Sequence, residues 1–220
     1  LPPITASGGS VSPGDFDGDG DLDLFVGGRL RPKDYPAPAD SYLLRNDGGT
    51  FTDVTAELAP FLKDFGLVTA AEWSDLNADG RPDLMVVGEW MPITQLINYG
   101  DRFERQEVTS TDDNPSTGWW FSLTKADLDG DGDEDFVFGN LGENYKYQAT
   151  PEEPFEVFYY YQAGDGKRDI VLSYYSDGKQ FPLRGRACSA QQIPDLKQSF
   201  PTYDGFAGAT LSEVFDPLAL

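Results

Sequence analysis

The stretch DFDGDGDLD, residues 15–23, places five aspartates within nine positions. Two unit charges about 4 Å apart repel each other by roughly 4 kcal/mol at an effective dielectric constant near 20, so a compact loop with this sequence is costly unless a cation neutralises it. The surrounding chain is no disordered acidic tail, because 39% of its 220 residues are hydrophobic and 14% are aromatic. The stretch therefore either stays extended in water or binds a cation.

The acidic stretch has copies further along the chain. DLNADGRPD at 75–83 and DLDGDGDED at 127–135 fit the same pattern, D-x-[DN]-x-D-G-x-x-D, and an apolar, strand-like run follows each copy. A degraded copy, YQAGDGKRD at 161–169, keeps Asp165 and Asp169 but loses the first two acidic positions. The four copies start 60, 52 and 34 residues apart. We interpret them as parts of a structural repeat and call the first three loop 1, loop 2 and loop 3.

The flanks of the loops predict the rest of the repeat. A strand-like segment precedes the loops, and hairpins with turn signals follow the second strand at Asn-Asp-Gly-Gly 46–49 and Asn-Tyr-Gly-Asp 98–101. Four antiparallel strands every 50 to 60 residues are typical of a β-propeller blade, whereas a sandwich or barrel does not repeat one loop at one place in each unit. We predict an all-β propeller with about four blades in residues 1–190 and a short helical or irregular tail at 191–220.

The loop pattern matches the ligand needs of calcium, which takes six to eight oxygens in tolerant geometry. Positions 1, 3, 5 and 9 offer side chains, the position 6 glycine permits a sharp turn, and position 7 offers its carbonyl. Arg81 at position 7 supports a carbonyl ligand there, because a guanidinium cannot bind a cation. Magnesium, with its stricter octahedron, is the alternative ion. The predicted ligands are Asp15, Asp17, Asp19, Asp21 (carbonyl) and Asp23 in loop 1; Asp75, Asn77, Asp79, Arg81 (carbonyl) and Asp83 in loop 2; and Asp127, Asp129, Asp131, Asp133 (carbonyl) and Asp135 in loop 3.

The loops are not EF-hands. An EF-hand needs a glutamate at position 12 and flanking helices, but Val26, Val86 and Phe138 stand there, inside strand-like runs. Solvated acidic turns without metal are the remaining alternative. In the fourth copy, Tyr161 and Ala163 replace two ligands, so a metal-free turn is expected there rather than a fourth calcium near Asp165 and Asp169.

Composition narrows the function classes. The net charge of −22 opposes binding to nucleic acid or anionic lipid and favours cations. The absence of histidine excludes serine-histidine and cysteine-histidine catalysis within this chain, and the single Cys188 cannot form an internal disulfide. No apolar run reaches the roughly 18 residues of a membrane span. The first residues, LPPITASGG, lack the features of a signal peptide, so we expect any export signal to lie outside this sequence.

Several longer segments resemble a known family. They include DGDLDLFVGGR, SYLLRNDG, FTDVT, PDLMVVGEWMPI, STGWW, GNLGENYKY, ATPEEP and LSYYSDGKQFPLRGR. Over about residues 5–190 the chain resembles FG-GAP (VCBS) repeats, the calcium-bearing blades of integrin α-chain-type seven-bladed propellers. More specifically, these segments resemble the bacterial ASPIC/UnbV-associated VCBS proteins related to cartilage acidic protein.

The resemblance implies an exported, calcium-binding, non-enzymatic propeller that recognises a protein or glycan at a surface, in a secreted, periplasmic or cell-surface setting. The family's metal residues carry over onto the three loops, giving about three Ca2+ sites. Seven blades of about 55 residues would need roughly 385, so the chain resembles part of a larger propeller. Further blades, a partner chain or dimerisation would cover its exposed edge strands.

An enzyme is the alternative function class. A polysaccharide lyase or hydrolase would use carboxylates outside the metal loops, or tyrosines. Glu89 near Trp90, the pair Trp119 and Trp120, and the polar segment 139–147 are the candidates for lining a sugar-binding surface. Packing between blades is the other role considered for the tryptophans.

Overall fold

A computed structural model describes residues 1–4, 7–109, 116–142, 145–161 and 168–215. The chain divides into two compact units, Leu1–Leu141 and Gly142–Leu220. Strands dominate and all their pairings are antiparallel, which confirms the predicted all-β class.

The first sheet of unit one is a four-stranded meander in the order β1-β2-β3-β4. Its strands are β1 (Ser7–Gly14), β2 (Asp23–Leu30), β3 (Tyr42–Asp47) and β4 (Thr50–Asp53). Loop 1 joins β1 to β2, and the predicted turn joins β3 to β4. Gly48 and Gly49 hold φ values of +61° and +91° in that turn, as a two-residue type I′ turn requires.

The second sheet repeats this layout around loop 2. Its strands are β5 (Leu67–Ser74), β6 (Asp83–Met91), β7 (Thr94–Asn98) and β8 (Phe103–Glu107). The third repeat follows with β9 (Gly118–Ala126) and β10 (Asp135–Asn140), joined by loop 3. The first residues of β9 pair with the last of β6, with Glu89 opposite Trp119, so β9 and β10 extend the second sheet.

The core of unit one lies between successive repeats. Phe16, Phe25 and Leu43 of the first repeat pack in one cluster with Trp73 and Phe103 of the second. On the other side of β6, a second cluster holds Met85, Val87 and Ile93 together with Leu123 of the third repeat. Strand β6 is therefore buried on both faces, which explains its nearly continuous apolar sequence, DLMVVGEWM.

A short helix and a 3-10 turn follow β4, at Thr55–Leu58 (α1) and Pro60–Leu62. Leu62 is fully buried in the first cluster, and α1 contributes Leu58 to its margin. The segment thus covers one side of the first repeat before β5 begins.

The described residues of unit two form a three-stranded sheet in the order β11-β12-β13 and four short helices. Val171 of β12 is buried with Leu196, Phe206 and Val214 of the helices, so the helices cover one face of the sheet. The elements are β11 (Glu156–Tyr161), β12 (Arg168–Ser176), β13 (Lys179–Pro182), α2 (Arg186–Gln192), α3 (Leu196–Ser199), α4 (Tyr203–Ala207) and α5 (Leu211–Val214).

The observed strands can be compared with the predicted four-stranded repeat at each of the four copies. The layout of strand, acidic loop, strand, strand, turn and strand is confirmed for the first two repeats. The third has its two loop strands, and the described residues of 141–155 contain no further strand. The fourth has a three-stranded sheet where four strands were expected, because the chain turns into α2 at Arg186 and helices cover the sheet.

The predicted division between residues 190 and 191 stays a prediction. Among the described residues, no helix is long and apolar enough to cross a membrane.

Candidate metal centres

Asp15 organises loop 1 by accepting hydrogen bonds from the backbone that curls around it. Its Oδ1 accepts the N–H of Gly18 at 2.8 Å and of Asp19 at 3.1 Å, and its Oδ2 accepts the N–H of Gly20 at 3.0 Å. Short acidic side chains capture nearby backbone donors in this way and hold the chain out of regular structure. One carboxylate therefore fixes the curl of the loop before β2 begins.

Positions 3 and 5 bring two more carboxylates to the same place. Asp17 Oδ1 accepts the N–H of Asp19 at 3.3 Å, and Asp19 Oδ1 accepts the N–H of Asp21 at 2.8 Å. Carboxylate oxygens of Asp15, Asp17 and Asp19 lie within 4.8 Å of one another. Among the described residues, no lysine or arginine forms an ion pair with these three.

Loops 2 and 3 repeat these bonds. Asp75 Oδ2 accepts the N–H of Gly80 at 2.8 Å, and Asp127 Oδ2 accepts the N–H of Gly132 at 3.2 Å, as Asp15 does with Gly20. The position 3 and position 5 side chains of both loops also accept the N–H two residues further on; these acceptors are Asn77, Asp79, Asp129 and Asp131. In loop 3, carboxylate oxygens of Asp127, Asp129 and Asp135 lie within 4.8 Å of one another.

Two of the position 9 aspartates are buried and tie their loops to the sheet. Asp23 is fully buried, and its two oxygens accept the N–H of Phe16 at 2.9 Å and of Asn46 at 2.8 Å. Asp83 is also fully buried and accepts from Leu76 at 3.0 Å and Asn98 at 2.7 Å. Burial raises the pKa of both carboxyl groups, against the lowering effect of these backbone donors. The residues thus have a structural role besides the predicted ligand role, which stays a prediction.

The side chains at position 7 make contacts of their own. Asp21 Oδ2 accepts the N–H of Gly48 at 2.7 Å in the β3–β4 turn. Arg81 Nη1 donates to Asp79 Oδ2 at 3.1 Å within loop 2. These contacts suit the prediction that only the carbonyl of position 7 serves the metal, and they leave that prediction untested.

Position 4 is a conformational requirement that sequence reasoning missed. Gly18, Ala78 and Gly130 occupy it with φ values of +77°, +58° and +79°. This left-handed conformation is strained for an L-residue with a Cβ atom, whereas glycine adopts it freely. The alternation of glycine, alanine and glycine at this position was the available signal.

Two asparagines at the ends of β3 and β7 were also missed. Asn46 donates its backbone N–H to Asp23 and its side-chain N–H to the carbonyl of Leu22 at 3.1 Å. Asn98 donates in the same way to Asp83 and to the carbonyl of Pro82 at 3.2 Å. The signal was present in the sequence, because both asparagines open the predicted hairpin turns at 46–49 and 98–101.

The fourth copy of the motif lies mostly outside the described residues, which omit 162–167 and therefore Asp165. Asp169 lies in β12, opposite Tyr160 of β11. The prediction of a metal-free turn there stays a prediction.

Three of the candidates for a sugar-binding surface, Glu89, Trp90 and Trp119, lie together where the repeats of unit one meet. Glu89 at the end of β6 is 6% exposed, forms an ion pair with Arg29 and accepts the hydroxyl of Tyr35 at 3.0 Å. Trp90 Nε1 donates to the same hydroxyl at 2.7 Å, and its ring stacks on Trp119 with centroids 4.8 Å apart. We call these five residues the seam cluster. It joins all three repeats of unit one, as the packing interpretation of the tryptophans expects.

The other candidates for a sugar-binding surface are not members of the seam cluster, although one of them bonds to it. Trp120 packs with Phe138 in the cluster between the second and third repeats, and its Nε1 donates to the carbonyl of Ser116 at 2.9 Å. In the segment 139–147, Asn140 Oδ1 accepts the N–H of Trp119 at 3.1 Å, while residues 143 and 144 lie outside the described part of the chain.

The donor sets of the three loops fit a hard divalent cation. The predicted side-chain ligands of all three loops offer only oxygens. Among the described residues, three carboxylates converge in loop 1, without Asp23, and three in loop 3, without Asp131, whereas the aspartates of loop 2 form no such set of three. Their mutual repulsion falls when a cation lies between them. The open position of the loop residues leaves room for water as a further ligand, which calcium accepts.

Comparison with known proteins adds one finding. A family model described as FG-GAP-like repeat matches residues 15–86 and 75–138. Each match runs from the start of one acidic loop, through the next acidic loop and into the strand that follows it, so each covers one structural repeat and the beginning of the next. No curated protein sequence matches the chain.

Proposed function

Because this chain belongs to the FG-GAP-like repeat family, we propose that it is a calcium-binding, non-catalytic β-propeller module that recognises a protein or glycan at an extracellular or cell surface. FG-GAP repeats occur in integrin-like and adhesion modules outside the cell, and the family is generally non-catalytic. The observation that carries the calcium proposal is the convergence of Asp15, Asp17 and Asp19 within 4.8 Å in an exposed loop whose bonds recur twice more.

In this proposal the role of the ion is structural. It would neutralise the exposed carboxylates of each loop, while in loops 1 and 2 the buried position 9 aspartate links the loop to the sheet through backbone donors. An ordered loop then fixes the register of the two strands that it joins. Extracellular calcium modules typically bind with dissociation constants of about 10⁻⁴ to 10⁻³ M, which fits a setting outside the cytosol.

The exposed face of the third repeat supports a longer array of blades. Phe16 and Phe25 occupy positions 2 and 11 of the first repeat, counted from the start of the loop, and are 3% and 0% exposed against the second repeat. The equivalent residues of the third repeat, Leu128 and Val137, are 64% and 48% exposed. Burying such residues stabilises a fold by roughly 1.5–3 kcal/mol each, so a further repeat packed on this face would be favoured.

The seam cluster bears on the enzyme alternative. Glu89 is the carboxylate among the candidates for lining a sugar-binding surface, and both of its oxygens are engaged, one by Arg29 and one by Tyr35. Because both oxygens have partners in the first repeat, this carboxylate links two repeats and is not free to act on a sugar. We therefore keep the binding module as the proposed function.

Thermal unfolding with and without metal tests the proposal. At a free calcium concentration 100-fold above its dissociation constant, each site adds about 2.7 kcal/mol to the free energy of unfolding. We expect the melting temperature to fall on addition of EDTA and to return with excess calcium, but much less with magnesium. The control is the triple variant Asp19→Ala, Asp79→Ala and Asp131→Ala, which should not respond to either addition. If EDTA leaves the melting temperature of the unmodified protein unchanged, the calcium proposal is contradicted.

A further inference from the structure

We propose that Asn98 couples the metal sites of loops 1 and 2, so that filling either site raises the affinity of the other. The proposal rests on the proposed calcium binding and adds a linkage between two sites that the repeat pattern would leave independent. It follows from one side-chain amide that donates to the backbone of both loops.

The contact with loop 1 crosses from the second repeat into the first. Asn98 Nδ2 donates to the carbonyl of Phe16 at 2.8 Å, and Asn98 is 2% exposed. Phe16 stands between the position 1 and position 3 ligands, Asp15 and Asp17, and its own N–H donates to Asp23. The Phe16 carbonyl, which accepts this bond from Asn98, therefore belongs to the backbone segment that must become ordered when loop 1 binds its ion.

The contacts with loop 2 use the rest of the same residue. Asn98 Nδ2 also donates to the carbonyl of Pro82 at 3.2 Å, and its backbone N–H donates to Asp83 Oδ1 at 2.7 Å. Its Oδ1 accepts the N–H of Gly100 at 2.9 Å, which fixes the orientation of the amide. Both N–H groups of the amide are thus committed, one to each loop.

The burial of Asn98 makes its hydrogen-bonded link between loops 1 and 2 rigid. Hydrogen bonds away from water are electrostatically stronger, and a donor that loses its partner there pays the full desolvation cost. A shift of the Phe16 carbonyl therefore passes to Asn98, and from Asn98 to Asp83. The rings of Phe16, Trp73 and Phe103 pack together beside this link, one pair stacked and two pairs edge to face, with centroids 5.8 to 6.3 Å apart, and leave little room for independent movement of the two loops.

Asn46 provides a matched control. It makes the same bonds within its own repeat, to Asp23, to the carbonyl of Leu22 and from Gly49. Among the described residues, the hydrogen bonds of Asn46 reach loop 1, whereas those of Asn98 reach both loop 1 and loop 2. Replacement of Asn46 should therefore weaken calcium binding at loop 1 without altering the coupling between the sites of loops 1 and 2.

Calcium titration calorimetry of paired variants tests the coupling. In an Asp131→Ala background, which disables loop 3, loop 1 is measured with loop 2 intact and with loop 2 disabled by Asp79→Ala. We expect the affinity of loop 1 to be at least about fivefold higher with loop 2 intact, within the usual range of coupling between sites. Asn98→Ala should bring that ratio close to one, and Asn46→Ala should leave it unchanged. A ratio of one with Asn98 present, or a ratio that survives Asn98→Ala, would overturn the proposal.

Hydrogen exchange provides a measurement that does not depend on the folding of the Asn98→Ala variant. In the protein carrying Asp79→Ala and Asp131→Ala, calcium can fill only loop 1, and the amides of Leu76 and Asn98 report on loop 2 through their bonds to Asp83. Coupling predicts slower exchange of both amides when calcium is added. Binding without such protection contradicts the coupling alone, whereas no binding heat in any variant contradicts the calcium proposal.

Discussion

Asp21 Oδ2 accepts the backbone N–H of Gly48 at 2.7 Å, across 27 positions of sequence, and so directs the position 7 carboxylate of loop 1 toward the β3–β4 turn. Asp19, two residues earlier, lies with Asp15 and Asp17 in the convergent set. The two aspartates of one loop therefore have different neighbours and should respond differently to substitution.

The first prediction compares these two aspartates. Asp21→Ala should leave the calcium affinity of loop 1 nearly unchanged, because its side chain holds the turn and only its carbonyl would face the ion. Asp19→Ala should weaken binding at loop 1 by tenfold or more, a change of about 1.4 kcal/mol in binding free energy. Calorimetry on variants with loops 2 and 3 disabled measures both. Equal losses from the two substitutions would contradict the assignment of position 7.

The second prediction concerns Ala78, which holds a φ of +58° at position 4 of loop 2. Ala78→Gly should raise the free energy of unfolding by about 0.5–1 kcal/mol, because glycine relieves left-handed strain at some cost in unfolded-state entropy. Urea unfolding in EDTA measures the change without any contribution from metal.

Gly130→Ala is the matched reverse substitution. A Cβ added at Gly130 would meet no atom within 4 Å, so the substitution changes strain without a clash. It should lower the free energy of unfolding by about 1 kcal/mol. A loss of stability in Ala78→Gly would show that the strain assignment is wrong.

The acidic loops and the strands beside them could be predicted from the sequence because their signals are local. Position 1 and position 6 of each loop contact each other directly, and a short apolar run marks the strand that follows each loop. Asn98 escaped prediction because its partners Asp83 and Phe16 lie 15 and 82 residues away. Tyr35 escaped because it lies in the irregular chain between β2 and β3, where no periodic pattern marks a residue. Glu89 and Trp90 were recognised as candidates, but only the fold shows that Arg29 and Tyr35 complete their cluster.

The third prediction separates the structural role of position 9 from the metal role of position 5. In EDTA, Asp83→Ala should lower the free energy of unfolding by about 2–4 kcal/mol, because the N–H groups of Leu76 and Asn98 lose their acceptors. Asp79→Ala should change it by less than about 1 kcal/mol under the same conditions, since the residue is exposed and its ion pair with Arg81 is a surface pair. Chemical unfolding of both variants measures the difference, and similar losses would refute the division of roles.

The fourth prediction concerns the pH dependence of the seam cluster. Burial raises the pKa of the Tyr35 phenol, with further contributions from Glu89. The folded protein therefore holds this proton at pH values where the unfolded chain releases it, above about pH 10. The stability that Tyr35 contributes is present below pH 10 and is lost as the pH rises through its raised pKa.

Tyr35→Phe tests that dependence. The variant should lose about 1–3 kcal/mol at pH 7, because Glu89 and Trp90 lose a hydrogen-bond partner, and its stability should fall less steeply above pH 10. Urea unfolding between pH 7 and pH 11 measures both effects. Tyr203→Phe, at a site 66% exposed, is the control and should match the unmodified protein. An unchanged alkaline slope in Tyr35→Phe would contradict the assigned role.

The central claim is that the three acidic loops are calcium sites, and counting the bound ions tests it most directly. Native mass spectrometry of the protein, first stripped with EDTA and then equilibrated with calcium, should show three bound Ca2+ per chain. Each of Asp19→Ala, Asp79→Ala and Asp131→Ala should remove one. A chain that retains no calcium, or variants that each bind as many ions as the unmodified protein, would contradict the account.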